Sequence, residues 1–320
     1  MRKLKKSEIK DFKAGTRSIL TAAFENNVEI YRFLEKERIF ILKKGAKWIW
    51  FRGPRLSVSN PVSLWIIKDK YLTKTVLEKA GVPYPKGWPA KTVDEAVTIS
   101  KKVGFPLVMK PRRSENGQGV FLHIDSEEKI RKFFRCCAYY DSQVLLEEEA
   151  QGKYYRITMV GSKVAGILET SGIILTADGK STVKEIIISY NKTSLSKYKI
   201  TKKTKDILSF QNLTLASVPL KKTEIMLGFS GAEGGYWIDR TDEICRENAA
   251  LLAKLIKTLE LNVVGIDLIA KSISLPINSK KSPGYVLEIN GAPEFTYHMK
   301  PTEGKPRNIG RDIIDMLFNK

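Results

Sequence analysis

Residues 108–120 read VMKPRRSENGQGV: a lysine ends an apolar run, and two glycines follow a short polar stretch. The apolar run before Lys110 predicts a buried strand with an ammonium group at its end. Gly117 and Gly119 would let backbone N–H groups approach a phosphate closely. The Walker A order GxxxxGK[ST] is absent, and GxGxxG is incomplete. Taken alone, the stretch is more typical of a surface hairpin turn than of a phosphate site, and the role of Arg112 and Arg113 stays open.

The composition is that of a globular protein. The chain has 320 residues, 42% of them hydrophobic and 28% charged, which suffices for one large domain or two to three small ones. No apolar run approaches the roughly 18 to 20 residues that span a bilayer. The basic N-terminus lacks the apolar stretch of a signal peptide, so a cytoplasmic location is expected. Cys136, Cys137 and Cys245 form no CxxC pair, which predicts free thiols rather than disulfides or zinc ligands.

The net charge of +20 has three explanations. It could serve nucleic-acid binding, it could steer anionic substrates, or it could reflect a lysine-rich composition without functional meaning. The last is preferred, because the sequence shows no helix-turn-helix pattern and no basic repeat interleaved with aromatic residues. Neither nucleic acid nor a membrane is therefore expected as a partner, and assembly into a homo-oligomer is left open.

Helical and strand patterns alternate along the chain, which predicts a mixed α/β (α+β) fold. One helix is predicted from Ser63 to a stop at Gly81, and another between an N-cap at Thr92 and Gly104. A strand is predicted over residues 223–229. The stretch TDEICRENAALLAKLIKTLEL predicts a helix that starts at Thr241.

Three oxygen-bearing side chains lie in two apolar strands near the C-terminus. Asp267 is in VVGIDLIA, and Glu288 and Asn290 in YVLEING lie on one face by the two-residue period. A carboxylate in an apolar strand is costly unless it is paired or bound to a metal. Oxygen ligands suit Mg²⁺. A magnesium site is therefore favoured over a set of salt-bridged strand residues.

The stretch LLEEEAQGKYYR, residues 145–156, is an apolar strand that ends in acids before a glycine. It suits a linker between two lobes whose backbone hydrogen-bonds an adenine edge. Taken alone, it is equally typical of a solvated acidic strand end.

The order of these motifs carries a resemblance. The motifs follow one another in a fixed order: a lysine in DKYLTK, a lysine in VMKP, a glycine loop, LLEEEAQGKYYR, GIDLIA and VLEINGAPEFTYH. This order resembles the ATP-grasp superfamily of carboxylate–amine ligases. Within it, TADGKSTVKEIIISYN, GGYWIDRTDEI and the tail from residue 287 resemble the ATP-grasp region of cyanophycin synthetase and of bifunctional glutathione synthetase.

The resemblance implies an ATP-grasp fold that holds ATP between two lobes. It implies an N-terminal subdomain at 1–62 and an ATP-grasp domain at 63–320, with a small ATP-binding lobe at about 89–150 and a metal-binding lobe at about 151–320. The implied ATP-binding residues are Lys70, Lys110, Gly117, Gly119, Glu147 and Ala150. The implied ligands of Mg²⁺ or Mn²⁺ are Asp267, Glu288 and Asn290.

Catalytic roles are implied for Arg156, which would face the transferred phosphate or the acyl phosphate, and for Lys110. His298, Arg307 and Lys180 are candidate substrate-binding residues, and for His298 a packed loop histidine is an equal alternative. The sequence departs from the family where Tyr154 replaces an acid available to the ribose, and where Ser230 replaces an asparagine. At 320 residues, iterative polymerisation as in cyanophycin synthetase is not expected.

The expected function is an ATP-dependent, ADP-forming ligase. It would join a carboxylate to an amine through an acyl phosphate, on an amino acid or short peptide that could be acidic. One alternative is a glutathione-synthetase-like or peptide-modifying ligase. Another, of a different class, is a non-catalytic nucleotide-binding or nucleic-acid-binding basic protein.

Overall fold

The computed structural model describes residues 1–33, 37–114, 117–194, 197–228 and 235–319. The chain divides into two compact units. The first comprises Met1–Ile167, Arg240–Met299 and Arg307–Lys320, and the second comprises Leu168–Asp239 and Lys300–Pro306. This division differs from the predicted domains 1–62 and 63–320, which stay a prediction.

Helices and strands both occur throughout the chain, which confirms the predicted mixed α/β fold. The strands are β1 Arg2–Lys3, β2 Glu29–Arg32, β3 Phe40–Lys44, β4 Lys47–Arg52, β5 Arg55–Leu56, β6 Gly87–Ala90, β7 Leu107–Pro111, β8 Phe121–Ile124, β9 Val144–Glu148, β10 Lys153–Val160, β11 Lys163–Ser171, β12 Ile174–Thr176, β13 Glu224–Met226, β14 Tyr236–Asp239, β15 Val263–Ala270 and β16 Gly284–Asn290. The helices are α1 Ala14–Glu25, α2 Pro61–Ile66, α3 Lys70–Ala80, α4 Val93–Val103, α5 Glu127–Ala138, α6 Val183–Thr193, α7 Lys202–Phe210, α8 Arg246–Thr258, α9 Thr296–Met299 and α10 Ile309–Phe318. Within the described ranges, none of these helices is long and apolar enough to cross a membrane.

The N-terminal segment forms an antiparallel sheet with the strand order β1-β2-β3-β4-β5. One face of this sheet packs with α1 and α10 into a hydrophobic core that includes Ile30, Phe40 and Leu42. Alternate residues of a strand point to opposite faces, so the residues between these belong to the other face of the sheet.

The small four-stranded sheet has the order β6-β9-β7-β8 and carries α4 and α5. The predicted N-cap of α4 is confirmed, because the Thr92 side chain accepts a hydrogen bond from the Glu95 N–H at 3.2 Å. Gly104 ends this helix, also as predicted. The apolar run before Lys110 is the buried strand β7. Lys110 therefore lies within the sheet, at the end of an apolar strand.

The helix predicted from Ser63 to Gly81 is two helices, α2 and α3. Asp69 separates them, because its carboxylate accepts hydrogen bonds from the N–H groups of Tyr71 and Leu72 at 3.0 and 3.1 Å. An aspartate in this position satisfies N–H groups that the first turn of a helix leaves free. The chain therefore begins a new helix at Lys70.

Helix α8 also begins later than predicted. Thr241–Glu243 form a short 3-10 helix, and the α-helix starts after Cys245. The Thr241 hydroxyl accepts a hydrogen bond from the Ile167 N–H at 2.8 Å. Its oxygen is therefore used by a neighbouring strand rather than by the first turn of α8.

The larger sheet has the strand order β14-β11-β10-β15-β16, of which β10, β15, β16 and the start of β11 belong to the first unit. Tyr155, Ile157 and Met159 on β10 point into a hydrophobic core with α3 and α8. The residues between them face the other way, where the polar side chains of this sheet lie.

The second unit is built around its own core. Strands β12 and β13 pair antiparallel, and β14 pairs with the end of β11 from Leu168 to Ser171. Ile187, Tyr198 and Ile225 are buried there together. The strand predicted over 223–229 is Glu224–Met226, and Phe229 and Ser230 lie outside the described residues.

Candidate active site

A cluster of buried charges lies on the small sheet. Lys110 on β7 lies directly opposite Leu145 on β9. Glu147 is two residues after Leu145, so its side chain lies on the same face of the sheet as that of Lys110. The Lys110 ammonium is 2.5 Å from Glu147 Oε1, and the Lys74 ammonium of α3 is 2.7 Å from Glu147 Oε2. All three side chains are buried. The cluster holds two cations for one carboxylate.

Burial and ion pairing act against each other in this cluster. Burial opposes ionisation of Glu147, but the two neighbouring ammonium groups outweigh it and lower the pKa of Glu147. Burial also lowers the pKa of Lys74, although Glu147 acts in the opposite direction. Lys74 additionally donates to the Pro85 carbonyl. The carboxylate of Glu147 therefore forms ion pairs with both lysines. The contacts of Glu147 and of the backbone near Ala150 with adenine stay predictions.

Lys70 begins α3 and is buried. Its ammonium donates to the Ser114 carbonyl at 2.7 Å, at the start of the predicted phosphate loop. Burial lowers the pKa of Lys70, and the charge of Glu288 partly offsets this. The predicted nucleotide-binding lysine thus lies against the loop that follows Lys110.

Arg112 and Arg113, which the sequence left open, bind Asp69. Arg112 Nε donates to both carboxylate oxygens of Asp69 at 2.8 Å, and Arg113 Nε donates to one at 3.0 Å. The Arg112 carbonyl accepts from the Lys70 N–H at 3.2 Å. These contacts fasten the start of α3 to the end of β7, and so set Lys70 beside the strand that carries Lys110.

The glycines of the loop adopt the conformation expected of a tight turn. Gly117 and Gly119 have φ values of 66° and 67°, a region that other residues rarely adopt. A Cβ on Gly119 would also lie 2.7 Å from the Tyr140 ring and 2.8 Å from Pro111. The loop therefore needs glycine at position 119 on two counts. Residues 115 and 116 lie outside the described part of the chain.

The second cluster lies on the polar face of the larger sheet. Arg156 pairs with Asp267 across β10 and β15, and Asp267 pairs with Glu288 across β15 and β16. Residues directly opposite one another share a face. Arg156 Nη1 donates to Asp267 Oδ1, and Asn290 follows Glu288 on the same face. This cluster holds two carboxylates for one cation.

Two carboxylates side by side, Asp267 buried and Glu288 half-buried, cannot both ionise easily. Burial and the neighbouring charge of Asp267 raise the pKa of Glu288 to about 7. Burial opposes ionisation of Asp267, but Arg156 outweighs it and lowers the pKa of Asp267. A divalent cation would remove the repulsion that raises the pKa of Glu288. The donor set of two carboxylates and an amide oxygen fits Mg²⁺.

Two neighbours shape this cluster. The Arg156 guanidinium lies over Gly265, where a Cβ would be 3.1 Å from Arg156 Cζ. Tyr154, which departs from the family pattern, hydrogen-bonds Asp267, and burial raises its pKa well above the usual value. Tyr154 therefore supports the proposed metal ligand instead of supplying an acid.

The two clusters act on one another. Lys70 and Lys110 lower the pKa of Glu288, opposing the effect of its burial. The excess positive charge of one sheet and the excess negative charge of the other are thus within electrostatic reach. Phosphates with a divalent cation have the complementary charges for such a pair of clusters.

The remaining predicted residues lie elsewhere. His298 is fully buried, with its Nε2 2.9 Å from Thr158 Oγ1. Arg307 Nη1 donates to Asp242 at 3.0 Å. Lys180 is exposed in a turn of the second unit. These three substrate roles stay predictions, and the packing of His298 favours its structural alternative.

Two residues of the clusters were missed at the level of sequence. Lys74 stands four residues after Lys70, a spacing that puts both on one helix face. Asp69 directly precedes a helical pattern, which is the position of an N-cap. Both signals were present in DKYLTK, but the interpretation of a continuous helix from Ser63 obscured them.

The fold is that of ATP-grasp structures, which confirms the resemblance found in the sequence. Residues 69–155 match the family model of the carbamoyl-phosphate synthase L chain, ATP binding domain. That segment contains Asp69, Lys70, Lys74, Lys110 and Glu147.

Individual relatives show which ATP-grasp proteins the chain is similar to. The chain is 31% identical to the cyanophycin synthetase of Nostoc over 262 residues, which are 78% of this chain and 29% of that protein. The solved bifunctional glutathione synthetase of Pasteurella multocida superimposes with a TM-score of 0.65 at 24% identity, over 98% of this chain and 45% of that one. The ATP-grasp ligase PsnB, solved with a variant of its minimal precursor, Mg and ADP, gives a TM-score of 0.50 at 14% identity over 82% and 61%. The chain thus spans less than half the length of the synthetases it matches.

Proposed function

We propose that the protein is an ATP-dependent, ADP-forming ligase that joins a carboxylate to an amine. The observation that carries the proposal is the pair of oppositely unbalanced charge clusters, in which buried lysines lie within electrostatic reach of Glu288. ATP with Mg²⁺ or Mn²⁺ has the charges that both clusters lack. The relatives named above support the same class of chemistry.

The reaction follows from the weakness of a carboxylate as an acylating agent. A carboxylate oxygen attacks the γ-phosphorus of ATP, the bond to the β-phosphate oxygen breaks, and ADP leaves with the electron pair. The amine then attacks the acyl carbon, phosphate leaves, and the amine loses a proton. Such a reaction depends mainly on positioning and on charge stabilisation.

Each cluster has a role in this chemistry. Lys70 and Lys110 bind phosphate oxygens, and Glu147 with Lys74 holds the Lys110 ammonium in place. Asp267, Glu288 and Asn290 hold the metal, which supplies Lewis-acid neutralisation of the phosphate charge. Arg156 lies beside Asp267, where its guanidinium can stabilise negative charge on the transferred phosphoryl group.

The substrates belong to the class of amino acids or short peptides, because the relatives include synthetases of amide-linked compounds. The net charge of +20 favours an acidic carboxylate donor or acceptor. A glutathione-synthetase-like or peptide-modifying ligase remains the alternative within the same chemistry.

The test is a panel of amino acids and dipeptides, scored by phosphate release and by mass spectrometry of the product. We expect ADP formation that depends on an added amino acid or peptide and a product mass that corresponds to loss of water. Lys110→Ala and Glu288→Ala should lower turnover by about 100-fold or more, whereas Lys101→Ala, an exposed lysine on α4, should leave it unchanged. Nucleotide binding without turnover on any substrate pair would instead support a non-catalytic nucleotide-binding protein.

A further inference from the structure

The outer face of the N-terminal sheet, here called the aromatic face, is defined by eight residues. They are Tyr31, Phe33, Trp48, Trp50, Lys3, Lys43, Arg52 and Arg55. The register assembles it: Lys3 pairs with Tyr31, Tyr31 with Ile41, and Ile41 with Trp50. Arg52 on β4 pairs with Arg55 on β5. Directly opposite residues share a face, so residues from all five strands meet here on the side away from the core.

The rings of this face are open to solvent. Trp48 is 45% exposed, and Trp50 and Phe33 are each 40% exposed. The rings form two pairs, Tyr31 with Trp48 at 6.1 Å between centroids and Phe33 with Trp50 at 4.8 Å. Exposed clusters of large apolar side chains mark interaction sites. Four aromatic rings on one face of the sheet therefore indicate a binding surface.

The same segment is rich in positive charge. Residues 1–60 contain fifteen lysines and arginines against six acids, which gives +9 of the net +20 in less than a fifth of the chain. On the face itself, the Lys43 ammonium is 4.8 Å from the centroid of the Trp48 ring. The acid on this face, Glu29, is bound by Lys3 at 2.9 Å. Lys43, Arg52 and Arg55 leave the face with a net charge of +3.

We propose that the aromatic face binds single-stranded nucleic acid, independently of the proposed ligase site. Unpaired bases stack on exposed aromatic rings, and their phosphates pair with neighbouring cations. Trp48 and Trp50 supply the ring surfaces, and the cations beside them supply the charge. The sequence had offered charge alone for this function. The sheet adds the rings, because it sets alternate residues of KWIWFR and IYRF side by side.

Other occupants fit the face less well. A second copy of the chain would bring equal positive charge against this one, which costs free energy. An acidic peptide would use the cations but leave the ring surfaces without a partner. A duplex would present phosphates while its bases stay stacked within the helix. A single strand alone offers both π faces and a negative backbone.

The experiment is fluorescence anisotropy of labelled single-stranded RNA and DNA about 20 nucleotides long. The full chain is used with saturating ADP and Mg²⁺, so that the proposed nucleotide site is filled. We expect binding that weakens as salt rises and that a duplex of the same sequence competes poorly. Trp48→Leu and Trp50→Leu should each weaken binding by at least about fivefold, because each stacked base contributes roughly 1 to 3 kcal/mol. Leucine keeps apolar cover over Ile41 while removing the indole.

The matched control is Trp88→Leu on β6, since Trp88 is also 40% exposed; its affinity should equal that of the wild type. Should the leucine variants fail to fold, Lys43→Glu tests the same face through its charge, again with a loss of binding expected. Equal binding of duplex or polyglutamate, unaffected by the tryptophan changes, would mean that charge alone acts and would overturn the proposal. Light scattering that shows a dimer dissolved by Trp50→Leu would do the same by identifying a second copy as the partner.

Discussion

Two clusters of charged side chains in this protein have three charged residues each and opposite imbalances of charge. On the small sheet, Glu147 lies between Lys74 and Lys110, with one more positive charge than negative. On the larger sheet, Arg156 lies beside Asp267, which is paired with Glu288, with one more negative charge than positive. The first cluster suits an anion and the second suits a cation.

The difference is visible in how each glutamate titrates. Glu147 is the more deeply buried of the two, yet the two lysines hold its pKa below the usual value, whereas burial and Asp267 raise the pKa of the half-buried Glu288 to about 7. Burial is therefore not what separates them; the sign of the neighbouring charge is. Substitutions that change the net charge of either cluster should show what that cluster contributes to stability and to turnover.

The largest effect is expected from Glu147→Ala. This change leaves two buried ammonium groups with no counter-charge, and breaking a buried pair in this way costs about 3 to 5 kcal/mol. Urea unfolding monitored by circular dichroism gives the free energy of unfolding. Glu148→Ala, at the next position, is the control and should cost far less. Equal losses for the two variants would mean that the cluster does not hold the small sheet together.

Lys110→Ala should separate stability from activity. It leaves one lysine and one glutamate, so the remaining charges balance and the unfolding free energy should fall less than for Glu147→Ala. Turnover should fall by about 100- to 1000-fold, as for loss of a single charge-stabilising group. ADP release by the identified substrate pair measures this. A variant with near-normal turnover would remove Lys110 from the phosphate site.

Much of the site was predictable, because an apolar run indicates a buried strand and the two-residue period shows which side chains share a face. The apolar run before Lys110, and the two-residue spacing of Glu288 and Asn290, located those side chains correctly on strands. The ion partners were not predictable in the same way. That Glu147 would bind two lysines depends on the pairing of β7 with β9, and on how α3 packs, which the sequence does not state.

The fold was predictable in class and in many element positions, and less so at boundaries. The helix from Ser63 was predicted as continuous because its apolar pattern continues through Asp69. The break depends on a capping hydrogen bond that competes with that pattern. The aromatic face was missed for a related reason: its rings come from separate strands, and only their register brings them together.

Glu288→Gln should change how stability depends on pH. The folded protein keeps a proton on Glu288 up to about pH 7, while the unfolded chain loses it near 4.5. Stability of the wild type therefore falls as pH rises between these values. Above pH 7 the glutamine variant should be the more stable by on the order of 3 kcal/mol. Paired urea titrations at pH 5 and pH 8 measure the difference.

Magnesium sharpens that prediction. At pH 8, where Glu288 is ionised, added Mg²⁺ should stabilise the wild type more than the glutamine variant, because the metal would neutralise the repulsion between Glu288 and Asp267. Glu247→Gln, an exposed glutamate on α8, is the control and should leave both the pH profile and the magnesium effect unchanged. A wild-type profile that runs parallel to that of Glu288→Gln would contradict the assignment.

The smallest effect is expected at Asp69, which joins the first cluster to its helix. Asp69→Ala removes the N-cap of α3 and should cost about 1 to 2 kcal/mol, and it should weaken ADP binding, since Lys70 follows directly. Asp69→Asn keeps a capping oxygen while losing the charge that Arg112 and Arg113 bind, so its loss should be smaller. Asp94→Ala, an exposed aspartate paired with Arg131, is the control. If Asn and Ala lose equally, the arginine pairing rather than the cap sets the position of Lys70.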